Sequence, residues 1–236
     1  MESRTVDAGG SKMPILRCTN KLLADIDDPP LADAAPSASP LGDWYGHLFA
    51  ADRRKCIMFI NEPTLFVCPA FGLLKADYRD IAPFFRDLLT WTLRVTFFPE
   101  NEVAWIVELH RELKVGRTVN RSTAASLNNR IANAKATFLW QGGFGCCDLA
   151  ALAVLLNQTP MKPIGYSNGY EQMRKLVDKC LNRPRSEGYP PLDRSRFVPQ
   201  QELPPCPHCG RPLRTAEAQQ CFHCGADWHG KPAKSE

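Results

Sequence analysis

At 236 residues the chain fits one medium domain plus a small second unit. Apolar residues make up 44% and charged residues 23%, ordinary globular usage that excludes a disordered or collagen-like chain. The longest apolar run, Leu149–Leu156, is eight residues against the ~20 a membrane-spanning helix needs. The start, MESRTVDAGGSKMPILRC, lacks the apolar core of an export signal, so a soluble cytoplasmic protein with no membrane partner is expected.

Residues 1–12 read as a leader, with Met13 placed as the start. Pro14–Cys18 reads as a first strand, followed by a short Asn20–Ile26 helix with Thr19 at its N-cap. Asp27–Pro40 holds four prolines and two serines and is a loop. Trp44–Ala50, Lys55–Ile60 and Thr64–Cys68 are rich in aromatic and β-branched residues. Connections this short make them an antiparallel meander, since parallel neighbours need long crossovers.

Past residue 75 the apolar period becomes helical. Pro83 suits a first turn ahead of Phe84, Leu88, Leu89 and Trp91, and Glu100–Leu113 repeats Val103, Ile106, Val107 and Leu113. Ser122 is placed to cap a helix reaching Trp140, and Asp148 to cap Leu149–Asn157, which is apolar all round and therefore central. Tyr170–Leu181 completes the set. The expected fold is α+β: a small antiparallel sheet followed by helices over 13–182. A Pro/Arg-rich linker, 183–205, and a unit of 206–236 follow.

Six of the ten cysteines are scattered, while four form Cys206-Pro-His-Cys209-Gly and Cys221-Phe-His-Cys224-Gly, eleven residues apart. Two residues between cysteines let one turn aim both sulfurs at a single ion, and four thiolates satisfy Zn2+ without an open position. A 31-residue unit cannot bury enough apolar surface to fold unaided, so one structural zinc is expected on Cys206, Cys209, Cys221 and Cys224. The spacing resembles the zinc-ribbon family over 206–225. His208 and His223 stand as alternative ligands within the knuckles.

The net charge of +4 is uneven: −4 over residues 1–110 and +5 over 111–135. Arg111, Lys114, Arg117, Asn120, Arg121 and Arg130, with Lys55 on a separate hairpin turn, form a candidate site for anions or nucleic acid. Gly165-Tyr-Ser-Asn-Gly169 matches a nucleophile elbow, but the preceding Thr159–Ile164 carries two prolines and no strand, so a turn explains it better. Gly142–Gly145 lacks the Lys-Ser/Thr ending of a phosphate loop, and Cys146 and Cys147 read as packed small residues. His47 and His110 look isolated.

Several patterns occur together: Arg17-Cys-Thr-Asn-Lys-Leu-Leu23, Leu41-Gly-Asp-Trp-Tyr45, Arg53-Arg-Lys-Cys56, Asn61 with Thr64-Leu65, Asn120-Arg-Ser122, and Asn157 with Pro160. Their order over about 13–178 resembles a bacterial family of domains of unknown function that opens on an arginine-cysteine-threonine strand. The resemblance implies an intracellular bacterial domain and brings no activity. It singles out Arg17, Thr19, Lys21, Trp44, Lys55, Asn61, Asn120, Arg121 and Ser122. Thr123–Leu127 departs from the glycine and methionine usual there, and the cysteine unit is an addition.

The leading expectation is a zinc-binding, non-enzymatic nucleic-acid-binding or accessory protein. A protein–protein adaptor built on 183–236 and a nuclease-like enzyme are the alternatives. The enzyme needs Arg17, Lys21, Lys55, Asn120 and Arg121 in one pocket.

Overall fold

The computed structural model describes residues 13–27, 35–184, 204–210, 213, 219–221 and 224–227. The leader 1–12 and most of the linker lie outside these residues.

The first strand is β1 (Ile15–Cys18), followed by a single helical turn, α1 (Asn20–Leu23). Strands β2 (Trp44–Ala51), β3 (Arg54–Asn61) and β4 (Val67–Leu73) form the expected antiparallel meander. Asp52 and Arg53, both at positive φ (46° and 62°), close the β2–β3 hairpin, because a two-residue turn must match the strands' right-handed twist. β4 starts three residues later than its sequence suggests. Asn61 Oδ1 accepts from both the backbone N–H and the hydroxyl of Thr64, and Leu65 sits at φ +56°, so this stretch is a turn.

Helices α2 (Lys75–Tyr78), α3 (Ile81–Val95) and α4 (Glu100–Leu109) come next, then β5 (Lys114–Arg117). The chain continues through α5 (Arg121–Trp140), α6 (Leu149–Gln158) and α7 (Gly169–Cys180). The sheet order is β4-β3-β2-β1-β5, and β1 runs parallel to both β2 and β5. The α+β architecture is as expected, but the sheet is mixed rather than wholly antiparallel. β5 is too short and polar-ended to show a strand period, and both parallel pairings join strands separated by long crossovers.

Alternation along the strands gives each face its own core. Leu16, Trp44, Leu48, Ile57 and Phe59 pack with Phe85, Leu89 and Ile106 of α3 and α4 and with Met173 and Val177 of α7. Tyr45, Phe49, Met58 and Ile60 pack with Leu127, Ile131, Leu152 and Leu156 of α5 and α6. On β2, Gly46 allows close approach, since a Cβ there would meet the Phe59 ring at 2.8 Å.

Both edges of the sheet are specialised. On β4, Asn157 of α6 uses its side-chain amide as a strand would: Oδ1 accepts the Val67 N–H (2.7 Å) and Nδ2 donates to the Val67 carbonyl (2.8 Å). Pro69, which has no N–H, sits on this same edge strand. At the opposite edge, β5 is short and carries Lys114 and Arg117.

Candidate functional site

The C-terminal cysteines are drawn together by two matching turns. The Gly210 N–H donates to the Cys206 carbonyl and the Gly225 N–H to the Cys221 carbonyl, with both glycines left-handed (φ +70° and +72°). Each loop thereby turns its two sulfurs inward, and an isolated bridge pairs Gln220 with Asp227. The four sulfurs lie within 4.8 Å of one another, with Cys206–Cys224 at 3.8 Å and Cys209–Cys221 at 3.7 Å. Four thiolates held tetrahedrally at ~2.3 Å from one ion stand about 3.8 Å apart, so the cluster can hold a single metal ion and its spacing is consistent with zinc. The backbone N–H of His208 donates to Cys206 Sγ, while the His208 side chain is exposed. His223 lies outside the described residues. Cys206 and Cys221 are buried with Leu213, forming the unit's own small apolar cluster.

The residues picked out by the family resemblance are mostly architectural. Arg17 is 1% exposed, and its guanidinium meets the Asp43 carboxylate at 2.8–2.9 Å. Asp43 also accepts from the Ile15 N–H and the Ser37 hydroxyl, which ties the 35–43 segment to β1. Trp44 is buried against Phe85 and donates to His110. Asn61 holds the Leu41 carbonyl and the Thr64 turn. Thr19 stands at the N-cap of α1 without a side-chain cap bond, and Lys21 is exposed on that turn.

Asn120, not Ser122, caps α5: its Oδ1 accepts the N–H groups of Ser122 and Thr123. Its Nδ2 donates to Glu62 and its backbone N–H to the Tyr45 hydroxyl. Burial, then the Glu62 charge, pushes the Tyr45 phenol up to about 12, so it stays protonated. Lys55 points elsewhere. Its ammonium sits 2.6 Å from Asp25, which also accepts from Tyr78 at 2.5 Å, and hydrogen bonding to Lys55 and Tyr78 holds the Asp25 carboxyl below its ordinary range. Arg17, Lys55 and Asn120 thus engage three different carboxylates and do not converge on one pocket.

Among the other basic candidates, Arg111, Arg117 and Arg121 are exposed and Lys114 is partly so. Arg111 precedes β5 and pairs with Glu108 at 3.4 Å, Lys114 and Arg117 stand at the two ends of β5 on opposite faces of this edge strand, and Arg121 opens α5. Arg130 is absent from that surface. It is 1% exposed, on the inner side of α5.

The weaker motifs resolve into turns. Tyr166 at φ +60° makes the bend in Gly165–Gly169, and the Ser167 hydroxyl donates to Glu171. Asp148 accepts the N–H groups of Ala150 and Ala151, closing the N-terminus of α6 that Gly142–Gly145 precede. Cys146 is exposed, not packed, and Cys147 donates to Gln141. Burial, then the Asp148 charge, pushes the Cys147 thiol up to about 12, the reverse of activation.

The sequence missed His110, Asp43, Glu62 and Glu102. Glu102 is 1% exposed and accepts from both Arg174 of α7 and Arg183, so the chain just after α7 is fastened to α4. Their partners lie 26 to 81 residues away, which no local pattern reveals. No helix among the described residues is long and apolar enough to cross a membrane.

The sequence model of one protein family, described as Domain of unknown function (DUF6933), matches residues 15–172. No curated protein and no solved structure matches the chain. The matched span takes in the whole five-stranded sheet and ends before the cysteine cluster. By that match over about two thirds of its length, the chain belongs to the DUF6933 family of domains of unknown function.

Proposed function

We propose that this chain is a zinc-containing, nucleic-acid-binding accessory protein of the cytoplasm, in which the sheet domain supplies the anion-binding surface and a structural zinc ribbon completes the chain. The observation that carries this reading is the cluster of exposed Arg117 and Arg121, with half-exposed Lys114, on β5 and the first turn of α5 at one edge of the sheet. Arginine guanidinia suit phosphate oxygens, which they engage with paired N–H groups. Among the described residues no disulfide is formed, which suits a reducing compartment and a thiolate-bound ion.

The test is filter retention of generic single- and double-stranded DNA and RNA by the full chain across a salt series. Binding by phosphate neutralisation gives retention that falls steeply as salt rises. A charged edge that merely discourages strand pairing gives no salt-sensitive retention, and that result overturns the proposal. Metal analysis of freshly purified chain tests the ribbon, with one zinc per chain expected.

A further inference from the structure

The end of α7 carries a row of cations around open space. Lys175 and Lys179 are four residues apart and therefore stand on one helical face, and Arg183 follows at the same interval. Arg183 lies past the last helical residue. Asn182, at φ +50°, turns the backbone, and the Arg183 N–H donates to the Asp178 carbonyl at 2.9 Å, so the chain folds back over the end of α7. A cleft of about 340 Å3 results, lined among the described residues by Lys175, Asp178, Lys179 and Arg183. Clefts of roughly 300–1,000 Å3 are the usual size of small-molecule sites.

The charges around this cleft do not balance. Arg183 and Arg174 share the single carboxylate of Glu102. Neither Lys175 nor Lys179 has an ion-pair partner among the described residues. Counting Asp178, four cations meet two carboxylates, which leaves two positive charges uncompensated. Like charges four residues apart on a helix repel each other. A cation in the last turn suits the negative end of the helix dipole, which accounts for Lys179. It does not account for Lys175, a turn earlier, or for the space between the three.

We propose that this cleft binds a small phosphate monoester of about the size of a sugar phosphate. A phosphoryl group carries close to two negative charges at neutral pH and accepts through three oxygens. It supplies the missing charge and accepts from both ammonium groups and from the Arg183 nitrogens that Glu102 leaves unused. Asp178, on the same lining, repels a second anionic group and so selects a ligand whose remainder is neutral. This goes beyond nucleic-acid binding and does not rest on it, because no residue of the cleft belongs to β5 or α5.

The experiment is titration calorimetry of the full chain with ribose 5-phosphate, with ribose and succinate in separate arms. One ribose 5-phosphate per chain is expected, with no binding of ribose and weaker binding of succinate. Lys175→Gln with Lys179→Gln weakens the ester at least about tenfold, since each lost ammonium removes a charge-assisted hydrogen bond. The melting temperature of that variant without ligand stays near native, which shows that it is folded. Arg117→Ala with Arg121→Ala leaves ester binding unchanged. No saturable binding of ribose 5-phosphate to the native chain overturns the proposal, as does unchanged affinity in the double lysine variant. Loss of nucleic-acid retention in that variant, in step with the ester, also overturns it, because the cations then belong to a polymer surface. Retention of nucleic acid without ester binding sinks this proposal alone, and ester binding without retention sinks only the nucleic-acid reading.

Discussion

The indole N–H of Trp44 donates to Nε2 of His110 at 2.9 Å, and the Nδ1–H of the same imidazole donates to the Ile106 carbonyl at 2.7 Å. Indole nitrogen can only donate, so Nε2 must accept and the ring is neutral with its proton on Nδ1. A second proton would set two N–H groups against each other inside a core where His110 is fully buried. Burial accordingly pulls the His110 value down from 6.5 to about 4, with the Ile106 carbonyl opposing the shift.

Stability therefore depends on acid in a defined direction. The folded value lies below the unfolded one, so the unfolded chain binds the proton first as pH falls. The contribution is complete above about 6.5, is lost progressively below it and levels off near 4. Between pH 7 and pH 5 the loss is about 2 kcal/mol. His47, also held low by burial, adds to it in the same sense. Urea unfolding at the two pH values measures the loss, and His110→Gln, which keeps an acceptor for Trp44 and cannot titrate, shrinks it to the part that His47 contributes.

The Arg17–Asp43 pair gives a second prediction. Asp43→Ala strands a buried guanidinium and costs about 3–5 kcal/mol in denaturant unfolding. It also frees the Ile15 N–H and the Ser37 hydroxyl from their acceptor. The double variant Arg17→Met, Asp43→Leu recovers much of that loss, since neither charge remains. Failure of the double variant to recover would place the pair's value in those two side bonds instead.

Metal removal separates the two units. Among the described residues, the apolar clusters on both faces of the sheet contain none beyond 181, and Cys206, Leu213 and Cys221 form a separate small cluster. Chelation, or Cys206→Ser with Cys221→Ser, abolishes metal content and with it the binding free energy of ~10–16 kcal/mol typical of such sites. The main thermal transition of the sheet domain stays within a few degrees of native. Calorimetry with metal analysis on the same samples checks both halves.

On the β5 edge, each arginine that neutralises a phosphate contributes roughly one unit to the slope of log affinity against log salt. Arg117→Ala with Arg121→Ala lowers the slope by about two and weakens all sequences alike. Lys55→Ala leaves it unchanged, because that ammonium is engaged by Asp25. Fluorescence anisotropy at a series of salt concentrations reads both.

What sequence reveals here follows from range. Asp148 was legible as a cap because the N–H groups it accepts, those of Ala150 and Ala151, are two and three residues on. The cysteine unit was legible because both its turns and its ligands are local. Ser122 was the wrong cap by two residues, since Asn120 is also bonded to Glu62 and Tyr45, 58 and 75 positions away. β5 was invisible for the same reason: its pairing with β1 joins Ile15 to Lys114. Arg130 read as one more surface cation, although its place in the apolar period from Thr123 to Phe138 was a signal available from spacing alone.

The amide of Asn157 has a consequence for how the molecule behaves in company. An uncovered N–H and C=O on Val67 would be the first rung for a strand from a neighbouring molecule, and the Pro69 beyond it only discourages the second. By filling that rung from within, one side chain closes the start of the β4 margin to an incoming strand.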